Sequence, residues 1–268
     1  WPVDAMTGSL RLEDLETLLN ERTRIVAFTH CSNVVGQINP VAKITARIRA
    51  AGAMSMVDGV SYAAHGFPDV TELGADVYLF SLYKTFGPHQ GLMVVRRAVA
   101  ERFANQSHYF NDDQPRKRLI PAGPDHAQVA AAQGIADYFE SMVEHHFETP
   151  PDNPRAALAS LFAAAEHAHL TPILEALNAH PRVRIVGPKT AEQRAPTVSF
   201  VVDNKNAHEL NVELAENGVM CGSGHFYAAR LLDAMGIGAE NGVVRWSFLH
   251  YTSEAEVQRA LDALQRLI

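Results

Sequence analysis

The sequence predicts an α/β protein, with a mostly parallel sheet carrying helices on both faces and a smaller C-terminal α+β domain after it. Three observations carry this expectation. Short apolar runs alternate with helical stretches over the first hundred residues or so, and a long helical pattern follows. The proline-rich segment "FETPPDNP" (147–154) then interrupts the chain, and beyond it helices and strands are mixed. A boundary at this break gives domains 1–150 and 151–268.

The run "TRIVAFTH" (23–30) is compact and β-rich and stops at a polar turn, "CSNVVGQINP". Pro40 suits the first turn of the helix "VAKITARIRAA", and Gly52 suits its C′ position. "AMSMVD" (53–58) is a second strand ending at Asp58-Gly59, "ADVYLFS" (75–81) a third and "GLMVVRR" (91–97) a fourth. Residues 125–146 place Ala, Ile, Tyr and Phe at helical spacing and read as one long helix. After the break, "PRAALASLFAAAEHAHLTPILEALNAH" is helical, and "VRIVG" and "APTVSFVVD" are strands. "HELNVELAENG" is a helix closing at Gly218, and "VMCGSGH" and "GVVRWSFLHY" (242–251) are strand-like. The final segment opens with the capping pair Ser253 and Glu256 and keeps Val257, Leu261, Leu264 and Ile268 on one face.

The composition excludes several function classes. Hydrophobic residues make up 47% and charged residues 20% of the 268, enough apolar content for a substantial core. The net charge of −7 argues against a general nucleic-acid or anionic-membrane surface. The two cysteines, Cys31 and Cys221, are far apart, form no CxxC pair and suit a reducing compartment. His145-His146 is an adjacent pair without ligand spacing, so no metal is expected. With no signal-peptide pattern and no apolar stretch of membrane length, the expected location is cytoplasmic.

Ligands of open α/β sheets collect at the carboxyl ends of strands. Here those ends carry His30, Ser32 and Asn33, then Asp58, Gly59 and Ser61, then Ser81 and Lys84. Singly, each has an ordinary reading: Asp58-Gly59 as a turn, Asn33 as an Asx turn, Lys84 as a solvated loop charge. Together they point to one small polar ligand. No GxGxxG, Walker or GxSxG motif competes with that reading.

In order and spacing, "THCSNVVGQINP", "VDGVSYAAH", "LFSLYKTFGPHQG" and "VVRWSFLHYTSEAEV" resemble the class V aminotransferases. These are fold-type-I pyridoxal-phosphate (PLP) enzymes that include the cysteine desulfurases and selenocysteine lyases. The resemblance runs over essentially the whole chain. It implies PLP as cofactor, an amino acid as substrate and a homodimer. By this resemblance Lys84 holds PLP as a Schiff base and, once released, moves the Cα proton; burial and a nearby cation suit a lysine to such work. Asp58 faces the pyridine nitrogen and keeps the ring protonated. Ser81 lies near the phosphate, Ser61 occupies another cofactor-contact position, and Asn33 lies near the phenolic oxygen or the substrate carboxylate. Arg245 grips the substrate α-carboxylate, a task suited to a guanidinium fork. Without the resemblance, a structural ion pair explains Arg245 equally well.

The departures from the family pattern are as informative. Tyr83 replaces the histidine before the lysine, Ser61 the glutamine after the aspartate, and Gly123 of "PAGPDH" a threonine that reaches a neighbouring subunit's phosphate. In "CGSGHFYAA" (221–229), Tyr227 stands where desulfurases of the group carry their persulfide-forming cysteine, and Cys221 lies six residues earlier. The opening "WPVDAMTGSLRLEDLETLL" resembles the middle of the family's large domain, so the chain as given is expected to be incomplete as a catalyst. The leading expectation is an aminotransferase acting on a small amino acid. A cysteine desulfurase or selenocysteine-lyase-like enzyme is the alternative. From another class comes a non-catalytic PLP-fold scaffold, opposed by the joint presence of Lys84, Asp58 and Arg245. Tyr83, His225, Phe226 and Tyr227 are candidates to surround the substrate's tail, with plain packing an equal alternative for each.

Overall fold

The computed structural model describes residues 1–120 and 123–268, so Pro121 and Ala122 of "PAGPDH" lie outside the described residues. The elements run α1 (Leu12–Leu18), β1 (Ile25–Thr29), α2 (Val41–Ala50), β2 (Met54–Asp58), α3 (Ala63–Gly66), α4 (Val70–Leu73), β3 (Val77–Ser81) and β4 (Gly91–Val95). Next come α5 (Arg97–Ala100), α6 (His126–Ala131), α7 (Gln133–His146), α8 (Pro154–Ala179), β5 (Val183–Val186) and β6 (Thr197–Val202). The last are α9 (Ala207–Glu216), β7 (Gly222–Gly224), α10 (Ala229–Ala234), β8 (Val243–Ser247) and α11 (Glu254–Leu267). No helix among the described residues is long and apolar enough to cross a membrane.

The chain divides into two compact units. One comprises residues 19–30 and 40–158, the other residues 1–18, 31–39 and 159–268. The division falls between Leu158 and Ala159, inside α8 and beyond the 150/151 boundary expected from the prolines. The prolines do end α7 and start α8, but α8 continues through the division, because an Ala- and Leu-rich helix has no local reason to stop there.

In the first unit, β1, β2 and β3 are parallel neighbours and β4 joins β3 antiparallel. The loop over 82–90 allows that last reversal without a helical crossover, whereas the parallel pairs need the intervening α2, α3 and α4. α2 buries Val41, Ile44, Thr45 and Ile48, and Gly52 follows it at φ +75°, the left-handed turn expected of a C′ glycine. The expected helix over 125–146 forms as α6 and α7, separated at Ala132. The backbone stays right-handed there, but the bonds tighten to i→i−3, with Ala132 N–H donating to the Val129 carbonyl and Ile135 N–H to that of Ala132.

Both ends of the sheet are pinned. At the amino ends the buried Asp76 accepts from the Ser55 amide (2.9 Å) and hydroxyl (3.2 Å) and pairs with Arg96 at 2.5 Å, tying β2, β3 and the start of α5. At the carboxyl ends the fully buried Tyr78 lies directly under Gly59, where an added Cβ would fall 2.1 Å from the phenol ring. The Tyr78 hydroxyl meets His30 Nδ1 at 2.9 Å, and the imidazole packs on Tyr62 with ring centres 3.7 Å apart.

The second unit holds an antiparallel sheet in the order β5-β6-β8-β7. Its core joins Leu170, Ile173 and Leu177 of α8, Phe200 and Trp246 of the sheet, Leu210 and Leu214 of α9, and Val257 and Leu264 of α11. The Ser253–Glu256 capping box forms as expected, and Leu261 and Ile268 pack against the same core. Arg194 is buried without an acidic partner among the described residues. It is held by the carbonyls of Thr197 and Pro188, and burial lowers its pKa to about 10.

Two expected outcomes test the packing under the sheet's carboxyl ends. Gly59→Ala should cost roughly 1–3 kcal/mol, because the Tyr78 ring has nowhere to move; an unchanged urea midpoint would contradict this. Burial also lowers the His30 pKa from 6.5 to about 4, so His30 stays neutral in the fold and gains a proton only on unfolding at mildly acid pH. Its contribution is therefore present above pH 6.5 and lost as pH falls through that window. Unfolding free energy should drop by roughly 2 kcal/mol between pH 7 and pH 5 on this account. His30→Phe should flatten that slope, and a variant keeping the wild-type slope would exclude His30 as its source.

Candidate active site

The parallel register aligns the carboxyl ends of three strands. Thr29 pairs with Asp58 and Asp58 with Leu79, while His30 N–H donates to the Asp58 carbonyl and Gly59 N–H to that of Leu79, each at 2.7 Å. The Asp58 side chain is thereby held at the sheet's edge and exposed. Its Oδ1 accepts from the Val60 amide at 2.9 Å, an Asx turn, and its other oxygen has no hydrogen-bond partner among the described residues. Ser61 follows in the same turn and Ser81 ends β3; both are half-buried.

Lys84 closes a single 3₁₀ turn, Leu82–Lys84. Leu82 and Thr85 are buried by this turn, and Thr85 Oγ1 and Gly87 N–H both donate to the Leu82 carbonyl, at 3.0 and 2.8 Å. An inward-facing Leu82 and Thr85 leave Tyr83 and Lys84 facing outward. The Tyr83 ring stacks on His89 with centres 4.6 Å apart, and Lys84 Nζ lies 5.9 Å from the Tyr83 ring centre. The amine makes no ion pair or hydrogen bond among the described residues. It is exposed, so the buried surroundings expected for such a lysine are not supplied by these residues. Asp58 and Lys84 are thus a carboxylate with a free oxygen and an uncommitted primary amine at neighbouring strand ends. That donor set fits PLP, which needs an acid opposite its ring nitrogen and an amine for its aldehyde carbon.

In the second unit Arg245 occupies β8, between Ser199 of β6 and Gly222 of β7. Its Nη1 donates to the Asn33 carbonyl at 3.0 Å, and its guanidinium carbon lies 3.9 Å from the centre of the Phe226 ring. Asn33 Nδ2 in turn donates to the Phe226 carbonyl at 2.9 Å. Asn33 is presented by a turn in which Ser32 Oγ accepts from the amides of Val34 and Val35. Arg245 has no carboxylate partner among the described residues, which removes the ion-pair explanation, and its partial burial lowers its pKa. Arg245 is thus a partly desolvated cation without a counter-charge among the described residues.

Of the candidates for the substrate's tail, Phe226 and Tyr227 have different surroundings. The Phe226 ring lies under the Arg245 guanidinium carbon, and Tyr227 is fully exposed. Phe226 and Tyr227 have φ of 47° and 64°, a left-handed pair that no residue type in "GHFYAA" signals. Neither cysteine is a ready nucleophile. The Cys221 thiol lies 2.9 Å from Asn211 Oδ1 and burial raises its pKa, while burial pushes Cys31 up to about 12. A cavity of about 570 Å³ in the first unit is lined by Phe67, Tyr78, Phe80, Ile135 and Phe139 among others. It contains none of the candidate residues and has few polar groups with which to orient an amino acid.

A model of the class V aminotransferase family matches residues 1–109 and 159–260. The chain is 33% identical over 273 residues to the aminotransferase-like protein FGM3 of Gibberella zeae, covering all of this chain and 65% of that protein. It is 30% identical over 276 residues to a probable cysteine desulfurase of Mycobacterium leprae, covering 97% of this chain and 60% of that one. Among solved structures, an apo cysteine desulfurase from Thermococcus onnurineus superposes with a TM-score of 0.83 at 25% identity, over all of this chain and 65% of that one. The chain therefore spans somewhat under two thirds of the length of these relatives, and its fold is that of the fold-type-I PLP enzymes. The chain belongs to the class V aminotransferase family.

Proposed function

We propose that the full-length protein is a PLP-dependent enzyme acting on a small amino acid, most simply an aminotransferase. The observation that carries this reading is the pair Asp58 and Lys84. A carboxylate oxygen and an amine, neither of them committed to the fold, stand at the carboxyl ends of adjacent strands. When bound, PLP supplies an electron-withdrawing ring that weakens the bonds at the substrate's Cα. Asp58 would hold the ring's nitrogen by charge, and Ser81 and Ser61 would offer hydroxyls to the cofactor. Lys84 would supply the amine that holds the cofactor's aldehyde carbon, and its amine would serve as the base for the Cα proton. Arg245 and Asn33 orient the substrate through its carboxylate, so that the same bond at Cα is presented at each encounter.

The relatives named as cysteine desulfurases favour a second reading, release of sulfur from L-cysteine. The thiols of this chain give it no support, since Cys221 is tied to Asn211 and Cys31 is buried. Sulfide release from L-cysteine, compared with pyruvate formation from L-alanine, separates the two readings. As part of the leading reading, the full-length protein is a cytoplasmic homodimer, supported by the family resemblance.

Lys84→Ala should lower turnover roughly a thousandfold or more while leaving the melting temperature of the cofactor-free protein unchanged, since the exposed amine makes no contact that the fold needs. Substantial residual activity would remove Lys84 from its central role.

A further inference from the structure

Arg245 is not held in place by an opposing charge, so something else must fix its plane. The candidates in contact with it are the Asn33 carbonyl, 3.0 Å from Nη1, and the Phe226 ring, 3.9 Å below the guanidinium carbon. We infer that Phe226 is the positioning residue of the carboxylate clamp: its ring sets the plane of the Arg245 guanidinium, and the Asn33 carbonyl sets its rotation within that plane. This inference rests on the reading of Arg245 as the group that binds the substrate carboxylate.

Four features built around the ring support it. First, Phe226 holds a left-handed backbone conformation at φ 47°, which an aromatic residue adopts only when its surroundings compel it. Second, the compelling contact is a hydrogen bond: Asn33 Nδ2 donates to the Phe226 carbonyl at 2.9 Å, so one residue anchors both the ring's backbone and the arginine. Third, Gly222 is the cross-strand partner of Arg245, and a Cβ there would lie 2.9 Å from two atoms of the Phe226 ring. The absent side chain leaves room for the ring to fold back over its own strand and reach the arginine. Fourth, Phe226 packs against the cluster of Val34, Val35, Val186, Leu232, Met235 and Val243, which keeps the ring from swinging away.

The consequence is chemical. With one face covered by an aromatic ring and Nη1 engaged by a protein carbonyl, the guanidinium keeps its remaining N–H edge for a ligand. A carboxylate meeting that edge finds two donors already coplanar, and little side-chain freedom is lost on binding. A ring at this place serves orientation rather than proton transfer, so its removal acts on capture of the carboxylate and not on the chemical step.

The test uses the full-length protein and two probes, L-alanine and its decarboxylated counterpart ethylamine, with affinities measured by titration calorimetry and steady-state constants measured for L-alanine. Phe226→Ala should weaken L-alanine about tenfold in Kd and KM, leave kcat within about twofold and leave ethylamine unaffected. Phe226→Tyr, which keeps the ring, should restore L-alanine binding. Gly222→Ala, which displaces the ring without removing it, should reproduce the Phe226→Ala loss. Arg245→Ala serves as the reference for the underlying reading. If it does not weaken L-alanine relative to ethylamine, or if the wild-type protein does not bind L-alanine, the carboxylate clamp is overturned and the inference with it. If Arg245→Ala weakens L-alanine and Phe226→Ala does not, the clamp stands and the positioning role is overturned. An equal loss of both probes in Phe226→Ala likewise overturns the role, since that is what general disruption of the unit produces.

Discussion

The contact between Tyr78 and Gly59 is the constraint on which the carboxyl edge of the parallel sheet depends. A parallel sheet can present side chains at its carboxyl ends only if each strand stops in register and turns away without filling the edge. Tyr78, fully buried in β3, occupies the space under the turn that follows β2, and glycine is the residue that permits it. The ring's hydroxyl reaches His30 at the end of β1, so one side chain touches all three strand ends. Asp76, with Ser55 and Arg96, fixes the opposite ends of the same strands. Between these two points the register has no freedom, and Asp58 and Lys84 inherit their places from it. A one-residue slip would invert the faces of β2 and bury the carboxylate.

Two kinds of polar group can be told apart by what the fold asks of them. Asp76 and Arg194 are buried and fully engaged, Asp76 by a serine and an arginine and Arg194 by backbone carbonyls. Removing either would leave its partners unsatisfied in the interior, which marks them as structural. Asp58, Lys84 and Arg245 differ. Each keeps donor or acceptor capacity that no described residue uses, and Arg245 is partly desolvated with no counter-charge. Holding a cation in that condition is unfavourable for folding on its own, and a ligand's carboxylate would relieve it.

Much of this was legible in the sequence. The strands over 23–30, 53–58, 75–81 and 91–97 follow from short β-rich runs bounded by turns, and α11 from its capping box and apolar stripe. The candidate residues Asp58, Ser81 and Lys84 were readable because ends of parallel strands are where sequence patterns place polar groups. Other features depend on contacts between residues distant in the chain and leave no local trace. The pairing of Asn33 with Phe226 and Arg245 joins positions about two hundred apart, and the left-handed turn at Phe226-Tyr227 uses residues that ordinarily avoid it. The passage of residues 31–39 into the second unit is equally silent in the sequence, since that segment reads as a simple polar turn. The break at Ala132 does have a local trace in Gly134, a poor helix former two residues on, but the alanines around it read as continuous helix.

On the proposed function, Lys84 is the amine to which the cofactor attaches. The most direct measurement is borohydride reduction of the full-length protein supplied with PLP, followed by proteolysis and mass spectrometry of the peptides. One pyridoxyl-phosphate adduct is expected, carried by the peptide containing Tyr83-Lys84-Thr85 and absent after Lys84→Ala. An adduct confined to another lysine, or no adduct at saturating PLP, would contradict it.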